Sequence, residues 1–297
     1  MTTKLAKHSL MRALRKIHNE YFEIIRFFIK LGRFPDLLNP RTISEFLVSR
    51  KLQKDFADPQ LCGKLEGYEF FKKLVAFIDT PEVVLSLGSE DLHLLHGLSD
   101  GNYLVKASNS SGGVAKFSVS DGIPSTSYQA LRKLSERWLD QRYDEVSGEF
   151  FYAFAKPKIL IEKNVLHGDT FACDLKVHCS RGRACIVQFI DRNHGNMKRF
   201  TWVKIGDTFV PKRLYKGEVS GFAKVVDQEK LLEACEAAEI VSREMDYVRV
   251  DFILGEEATL YFVELTFLPA GGTMPLVDAA ADAEFFDVLQ IGSLERT

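Results

Sequence analysis

Residues 247–272 read YVRVDFILGEEATLYFVELTFLPAGG, two strand-like runs around a short polar turn. Side chains alternate across a strand. The first run therefore sets Val248, Val250, Phe252 and Leu254 on one face, with Arg249 and Asp251 on the other. The second sets Tyr261, Val263, Leu265 and Phe267 against Phe262, Glu264 and Thr266. A hairpin closed by a four-residue loop from Glu256 to Thr259 brings Asp251 directly across from Glu264, and Arg249 across from Thr266. Opposed Cβ atoms lie about 5 Å apart, where like charges destabilise the pair. An exposed sheet face, a slipped register or a salt bridge to Arg249 would each account for the pattern. So would a metal ion: Mg²⁺ takes hard oxygen ligands when it bridges nucleotide phosphates. Arg249 on the same face would then orient and neutralise a transferring phosphoryl group.

Composition narrows the field. The 297 residues suffice for a large core and suggest about two domains. Apolar residues make up 46% and charged residues 27%, as in ordinary globular chains. A net charge of −2 argues against a general nucleic-acid binder. That charge is uneven, since residues 1–33 carry eight Lys or Arg against two Glu. Five cysteines without a CxxC read as reduced thiols, and the basic start leads into a mixed-polarity helix, not a signal peptide. The expected compartment is the cytoplasm, and no apolar run approaches the ~20 residues of a membrane span.

Residues 4–31 read as one or two helices with an apolar stripe of Phe22, Ile25, Phe28 and Ile29. The stripe either docks on the body or lies on an anionic membrane, a peripheral contact through residues 1–33. Helices are expected over 64–77, 127–140 and 229–245. Strands are expected at YLVKAS, KILIEKNV, TFACDLKVHC and ACIVQFIDR, the last two turning near Arg181 and Gly182. Mixed hairpins and helices of this kind indicate an α+β fold.

Three further segments bear on chemistry. VKASNSSGGVAKF ends a strand at Lys106 and enters a loop of Ser108, Asn109, Ser110, Ser111, Gly112 and Gly113. Small residues let backbone N–H groups approach an anion, which suits polyphosphate, although Ser/Gly-rich hairpin loops are also common. ILIEKNVL places Glu162 and Lys163 at a strand end, where carboxylate and backbone could meet an adenine edge. CDLKVHC puts Asp174, Lys176 and His178 on one strand face, a pattern that a solvated face explains equally well.

In order, GKLEGYEFF, YLVKASNSSGG, ILIEKNVL, DLKVHC, IDR, YVRVDF and VELTFLPAGG resemble the TupA-like branch of the ATP-grasp ligases over roughly residues 35–280. The resemblance implies an ATP-grasp fold, with nucleotide held between two α+β subdomains. Its divisions here would be a helical extension over 1–60, an N-terminal and central subdomain over 61–162, and a metal-bearing subdomain over 163–297. By the same resemblance, Lys64 and Lys106 clamp the phosphates under the loop Ser108–Gly113. Glu162, Lys163 and Val165 line the purine pocket, and Asp169 holds the ribose. Lys176 reaches the γ-phosphate, Arg249 the transferring phosphoryl group, and Asp251, Glu264 and Thr266 the magnesium ions. Gly63 stands where the family usually has Asp, and Thr266 where the wider superfamily has Asn.

The implied activity is an ADP-forming carboxylate–amine ligase using ATP and Mg²⁺. Its natural substrates in a surface-polysaccharide setting would be a sugar acid and an amino acid or amine. Arg192 and His194, in the basic loop IDRNHGNMKRF, are substrate candidates, with a solvated turn as the competing account. A kinase on the same fold and a non-catalytic nucleotide-binding scaffold are the alternatives.

Overall fold

The computed structural model describes residues 19–56, 58–166, 173–192, 197–219, 226 and 228–291. Asp169 and His194 lie outside the described residues. The chain opens with helices α1 (Asn19–Leu31), α2 (Ile43–Gln53) and α3 (Lys64–Leu74). Next come β1 (Val83–Leu87), β2 (Gly101–Ala107), β3 (Val114–Val119), α4 (Ser125–Leu139), α5 (Tyr143–Ser147) and β4 (Ile159–Lys163). Strands β5 (Cys173–Ser180), β6 (Arg183–Asp191), β7 (Lys198–Ile205) and β8 (Thr208–Pro211) follow. Then α6 (Gln228–Val241), β9 (Val248–Leu254), β10 (Leu260–Thr266) and α7 (Ala279–Leu289) complete the order.

The strands form a four-stranded sheet, β1-β4-β2-β3, and a six-stranded sheet, β10-β9-β5-β6-β7-β8, both antiparallel. Two apolar cores follow from them. One gathers Tyr103, Val105, Ile159 and Ile161 beneath α4. The other buries Val177, Val187, Val250 and Phe252 with Leu231, Ala234, Ala238 and Val241 of α6. This is the expected α+β architecture.

The hairpin β9–β10 keeps the expected pairs Asp251–Glu264 and Arg249–Thr266, but reaches them by another route. Its loop takes five residues, Gly255–Thr259, because Leu254 pairs with Leu260 and the Gly255 N–H donates to the Thr259 carbonyl at 2.8 Å. The register then shifts between Phe262 and Glu264, so a bulge at Val263 absorbs the extra residue. A bulge reverses which side chains share a face. Phe262, expected beside Glu264, instead turns into the core and stacks on Phe71 at 4.2 Å, while Tyr261 takes the outer face. Burial of one such ring contributes about 1.5–3 kcal/mol, which fixes α3 against the six-stranded sheet.

Helix ends also differ from the periodic reading. α3 stops at Leu74, not residue 77, because Val75 is extended and Val75 and Ile78 enter the core. α6 stops at Val241, not 245, where the Ser242 and Met245 carbonyls accept from Gly182 and Arg181 of the β5–β6 turn. That turn carries positive φ at Arg181 (48°) and Gly182 (74°), the conformation a two-residue hairpin loop requires. α1 docks, but not through its apolar stripe. Glu23 and Phe27 are buried, whereas Ile25, Phe28 and Ile29 point outward. His178, for which a solvated face was one of two open readings, is fully buried between Tyr215 and Tyr247.

Candidate active site

Strands β5, β9 and β10 present a small grid of polar side chains on one face. Lys176 pairs with Asp251 and Asp251 with Glu264; one pleat along, His178 pairs with Arg249 and Arg249 with Thr266. Arg249 donates to both Asp251 oxygens at 2.6 Å, and Lys176 donates to Asp251 Oδ2 at 2.7 Å. Burial alone would raise the Asp251 carboxyl. Arg249 and then Lys176 outweigh it and hold the group below its usual range. The salt bridge to Arg249 is thus present, and it relieves the repulsion that Asp251 and Glu264 would otherwise impose. Arg249 also donates to the Thr266 hydroxyl at 3.1 Å, and that hydroxyl lies 3.4 Å from Glu264 Oε1.

A second charged group lies where the four-stranded sheet meets α3. Lys106, near the end of β2, approaches Glu162 Oε2 of β4 at 2.6 Å, and the Tyr68 hydroxyl donates to Glu162 Oε1 at 2.9 Å. Glu162 is fully buried, so both its oxygens face protein partners. Lys64, the first residue of α3, donates to the carbonyls of Ala107 (3.0 Å) and Ser110 (2.8 Å) and lies 3.9 Å from Glu264. It therefore ties the Ser/Gly loop to the metal-ligand candidates on β10. Burial lowers the Lys64 pKa, with Glu264 opposing the shift.

The loop itself is anchored and closed. The Ser108 hydroxyl donates to the Lys156 carbonyl (2.5 Å) and accepts from the Lys158 N–H (2.9 Å). The Ala107 N–H donates to the Gly113 carbonyl at 3.2 Å, and Gly112 sits at φ 78°. Ser110 is buried, whereas Ser111 and Gly112 are exposed at the loop tip. Lys163 is on the surface, paired with Glu82 at 2.7 Å. The Val165 carbonyl would come 2.8 Å from a Cβ at Gly255, so the exit of β4 crosses closely over the hairpin loop. Arg192 pairs with Asp174 at 2.6 Å, beyond the grid.

Arg249, Glu264 and Thr266 open into a cavity of about 340 Å³, whose other walls include Arg26 of α1, Tyr143 and Glu149. Burial, followed by Glu149, pushes the Tyr143 hydroxyl up to about 12. Arg26 reaches this wall because it donates to the Gly271 and Ala270 carbonyls at 3.3 Å. Beneath it, Lys51 of α2 pairs with Glu23 at 2.9 Å and donates to the Ser147 and Gly271 carbonyls. Sequence patterning does not single out Arg26, Tyr143 or Glu149; the aromatic run EFFYAF at 149–154 is the signal that could have marked this wall. A larger cavity of about 430 Å³, between α2, α6 and Phe267, contains none of the grid or lysine residues.

The donor set fits a metal that arrives with phosphate. Among the described residues no three His, Cys, Asp or Glu side chains cluster as a metal site. Asp251 and Glu264 offer hard oxygens, but cations already hold Asp251. Lys64, Lys106, Lys176 and Arg249 outnumber Glu162, Asp251 and Glu264 by one, a balance suited to a polyphosphate that carries its own cation.

A model of TupA-like ATP-grasp proteins matches residues 49–289. The chain belongs to the TupA-like ATP-grasp family. Its ATP-grasp fold is similar to that of D-alanine–D-alanine ligase from Bacillus anthracis complexed with ATP: 14% identity, TM-score 0.42, covering 85% of this chain and 68% of the other. VanG D-Ala:D-Ser ligase from Enterococcus faecalis is similar at 13% identity and TM-score 0.45, covering 79% and 60%. ATP-grasp ligase PsnB complexed with minimal precursor is similar at 12% identity and TM-score 0.40, covering 84% and 68%. The chain thus spans 60–68% of the length of these three proteins. No curated protein matches the sequence. α1, which brings Arg26 to the cavity, lies outside the stretch matched by the ATP-grasp family model.

Proposed function

We propose that this TupA-like ATP-grasp chain is an ATP- and Mg²⁺-dependent ligase that joins a carboxylate to an amine. The observation that carries the reading is the cavity onto which Arg249, Glu264 and Thr266 open beside the buried lysine cluster. A carboxylate oxygen of the substrate attacks the γ-phosphorus of ATP, the bond to the β-phosphate oxygen breaks, and ADP leaves. The amine nitrogen then attacks the acyl carbon and loses its proton as phosphate departs, leaving an amide.

In this reading Lys64 and Lys106 hold the phosphates beneath the Ser108–Gly113 loop. Lys176 and Arg249 turn from Asp251 towards the γ-phosphate as nucleotide enters, and Arg249 neutralises charge on the transferring group. Asp251, Glu264 and Thr266 hold Mg²⁺, which when bound neutralises phosphate charge. Glu162, Lys163, Val165 and Asp169 serve the nucleoside. The residues act by positioning and charge stabilisation, with no covalent enzyme intermediate. A sugar acid and an amino compound of a surface polysaccharide are the proposed substrates, with Arg192 and His194 as candidate substrate contacts.

The test is calorimetric titration of ADP and a non-hydrolysable ATP analogue, with and without Mg²⁺, on wild type and Glu264→Gln. Binding that needs Mg²⁺ and weakens in the variant supports the site. Binding indifferent to both, or none at all, removes the catalytic reading. Product analysis then separates the ligase, which releases free phosphate with an amide, from a kinase, which leaves phosphate on its acceptor.

A further inference from the structure

α1 presents its apolar side to solvent. Arg26 and Lys30 donate inward to residues 270–273, and Glu23 and Phe27 are buried. On the opposite side Tyr21, Ile25, Phe28 and Ile29 are 63%, 55%, 43% and 75% exposed. Their spacing places them in one stripe along the helix. The patch continues past the helix end. Phe34 stacks on Phe28 with ring centroids 4.7 Å apart, and Leu38 is 91% exposed. A contiguous apolar surface of this kind marks a binding face.

Charge selects the occupant. The 18 residues before α1 carry five Lys or Arg and no Asp or Glu, whereas Arg26 and Lys30 of α1 and Arg33 after it are held by partners in the body. A second copy meeting this face by two-fold symmetry would bring two strongly positive segments together. An anionic lipid surface attracts the same charges and takes up the aromatic and aliphatic stripe. At 13 residues α1 is too short to cross a bilayer, and no described helix is long and apolar enough to do so.

We propose that residues 19–38 are a docking face for an anionic membrane. Tyr21, Ile25, Phe28, Ile29, Phe34 and Leu38 enter the headgroup boundary, and α1 lies in the plane of the surface. Because Arg26 on its inner side lines the cavity, docking holds that cavity about one helix diameter, ~10 Å, from the lipid. This inference stands independently of the ligase reading.

Co-sedimentation of the full chain with vesicles tests it, using phosphatidylcholine alone and an equal mixture with phosphatidylglycerol. The full chain pellets with the anionic vesicles, stays in solution with the neutral ones, and is released by salt. Ile25→Glu/Ile29→Glu lowers the anionic-vesicle partition about tenfold or more, with thermal stability and nucleotide binding unchanged. Absence of pelleting, equal pelleting with neutral vesicles, or retention by the double variant each overturns the proposal. So does a wild-type dimer that the double variant dissociates without any change in vesicle binding, which would assign the stripe to a second copy.

Discussion

Arg249 holds both oxygens of Asp251 at 2.6 Å, and Asp251 is the carboxylate that stands directly across from Glu264. A pair of facing acids is tolerable on this hairpin because one of them is already neutralised. That pairing neutralises the buried Asp251 carboxylate within the hairpin.

Arg249→Met leaves a buried carboxylate with Lys176 as its remaining close cation. Removing one partner of a buried ion pair costs about 3–5 kcal/mol. Urea unfolding of the variant is expected to show a loss of that order, and adding Asp251→Leu should restore much of it. An unchanged midpoint for the single variant would mean that the pair contributes nothing.

Magnesium is expected to bind only together with nucleotide. Asp251 is occupied by Arg249 and Lys176, so a bare divalent ion meets a site with an excess of positive charge. Calorimetric injection of MgCl₂ into the free protein should give no saturable heat, while injection into the ADP complex should. Saturable binding to the free protein would contradict this order.

His178 makes stability depend on pH. Burial, and after it the charge of Arg249, lowers its pKa well below the ordinary 6.5, so the folded protein keeps it neutral where the unfolded chain would protonate it. The unfolded state then binds more protons, and stability falls as pH drops below 6.5. The expected slope approaches about 1.4 kcal/mol per pH unit until the folded pKa is reached. Urea unfolding at pH 7.5, 6.5 and 5.5 measures it, and His178→Gln should flatten the profile over that range.

Arg26 lines the cavity beside Arg249, so if the acceptor binds there Arg26→Ala is expected to spare nucleotide affinity and weaken acceptor binding. A charge-assisted hydrogen bond contributes about 1.5–3 kcal/mol, so the acceptor KM should rise roughly ten- to hundredfold. Steady-state assays with ATP saturating and the acceptor varied would read this. Equal rises for both substrates would place the effect in the fold and not in the cavity wall.

The mapping from sequence to site is uneven, and the hairpin shows why. Asp251 and Glu264 were legible as facing partners because strand alternation and a short turn are local rules. Those rules did not give the path between them, since a five-residue loop and a bulge at Val263 compensate one another. Strict alternation therefore assigns Phe262 to the polar face, whereas the bulge turns it into the core to stack on Phe71. Helix existence was also legible, while the ends of α3 and α6 depended on what the following residues meet in the core and at the β5–β6 turn.

Sequence by itself determined the α+β class, the polar grid on β9 and β10, and Lys106 at the entry to the Ser/Gly loop. Each follows from side-chain periodicity or from motif order along contiguous chain. Only the tertiary structure decided that Glu162 is sealed between Lys106 and Tyr68, that Lys64 lies beside Glu264, and that Arg26 reaches the cavity. Those relationships join residues tens to hundreds of positions apart. They are set by which apolar faces pack and which buried charges then require partners, and no local period encodes that choice.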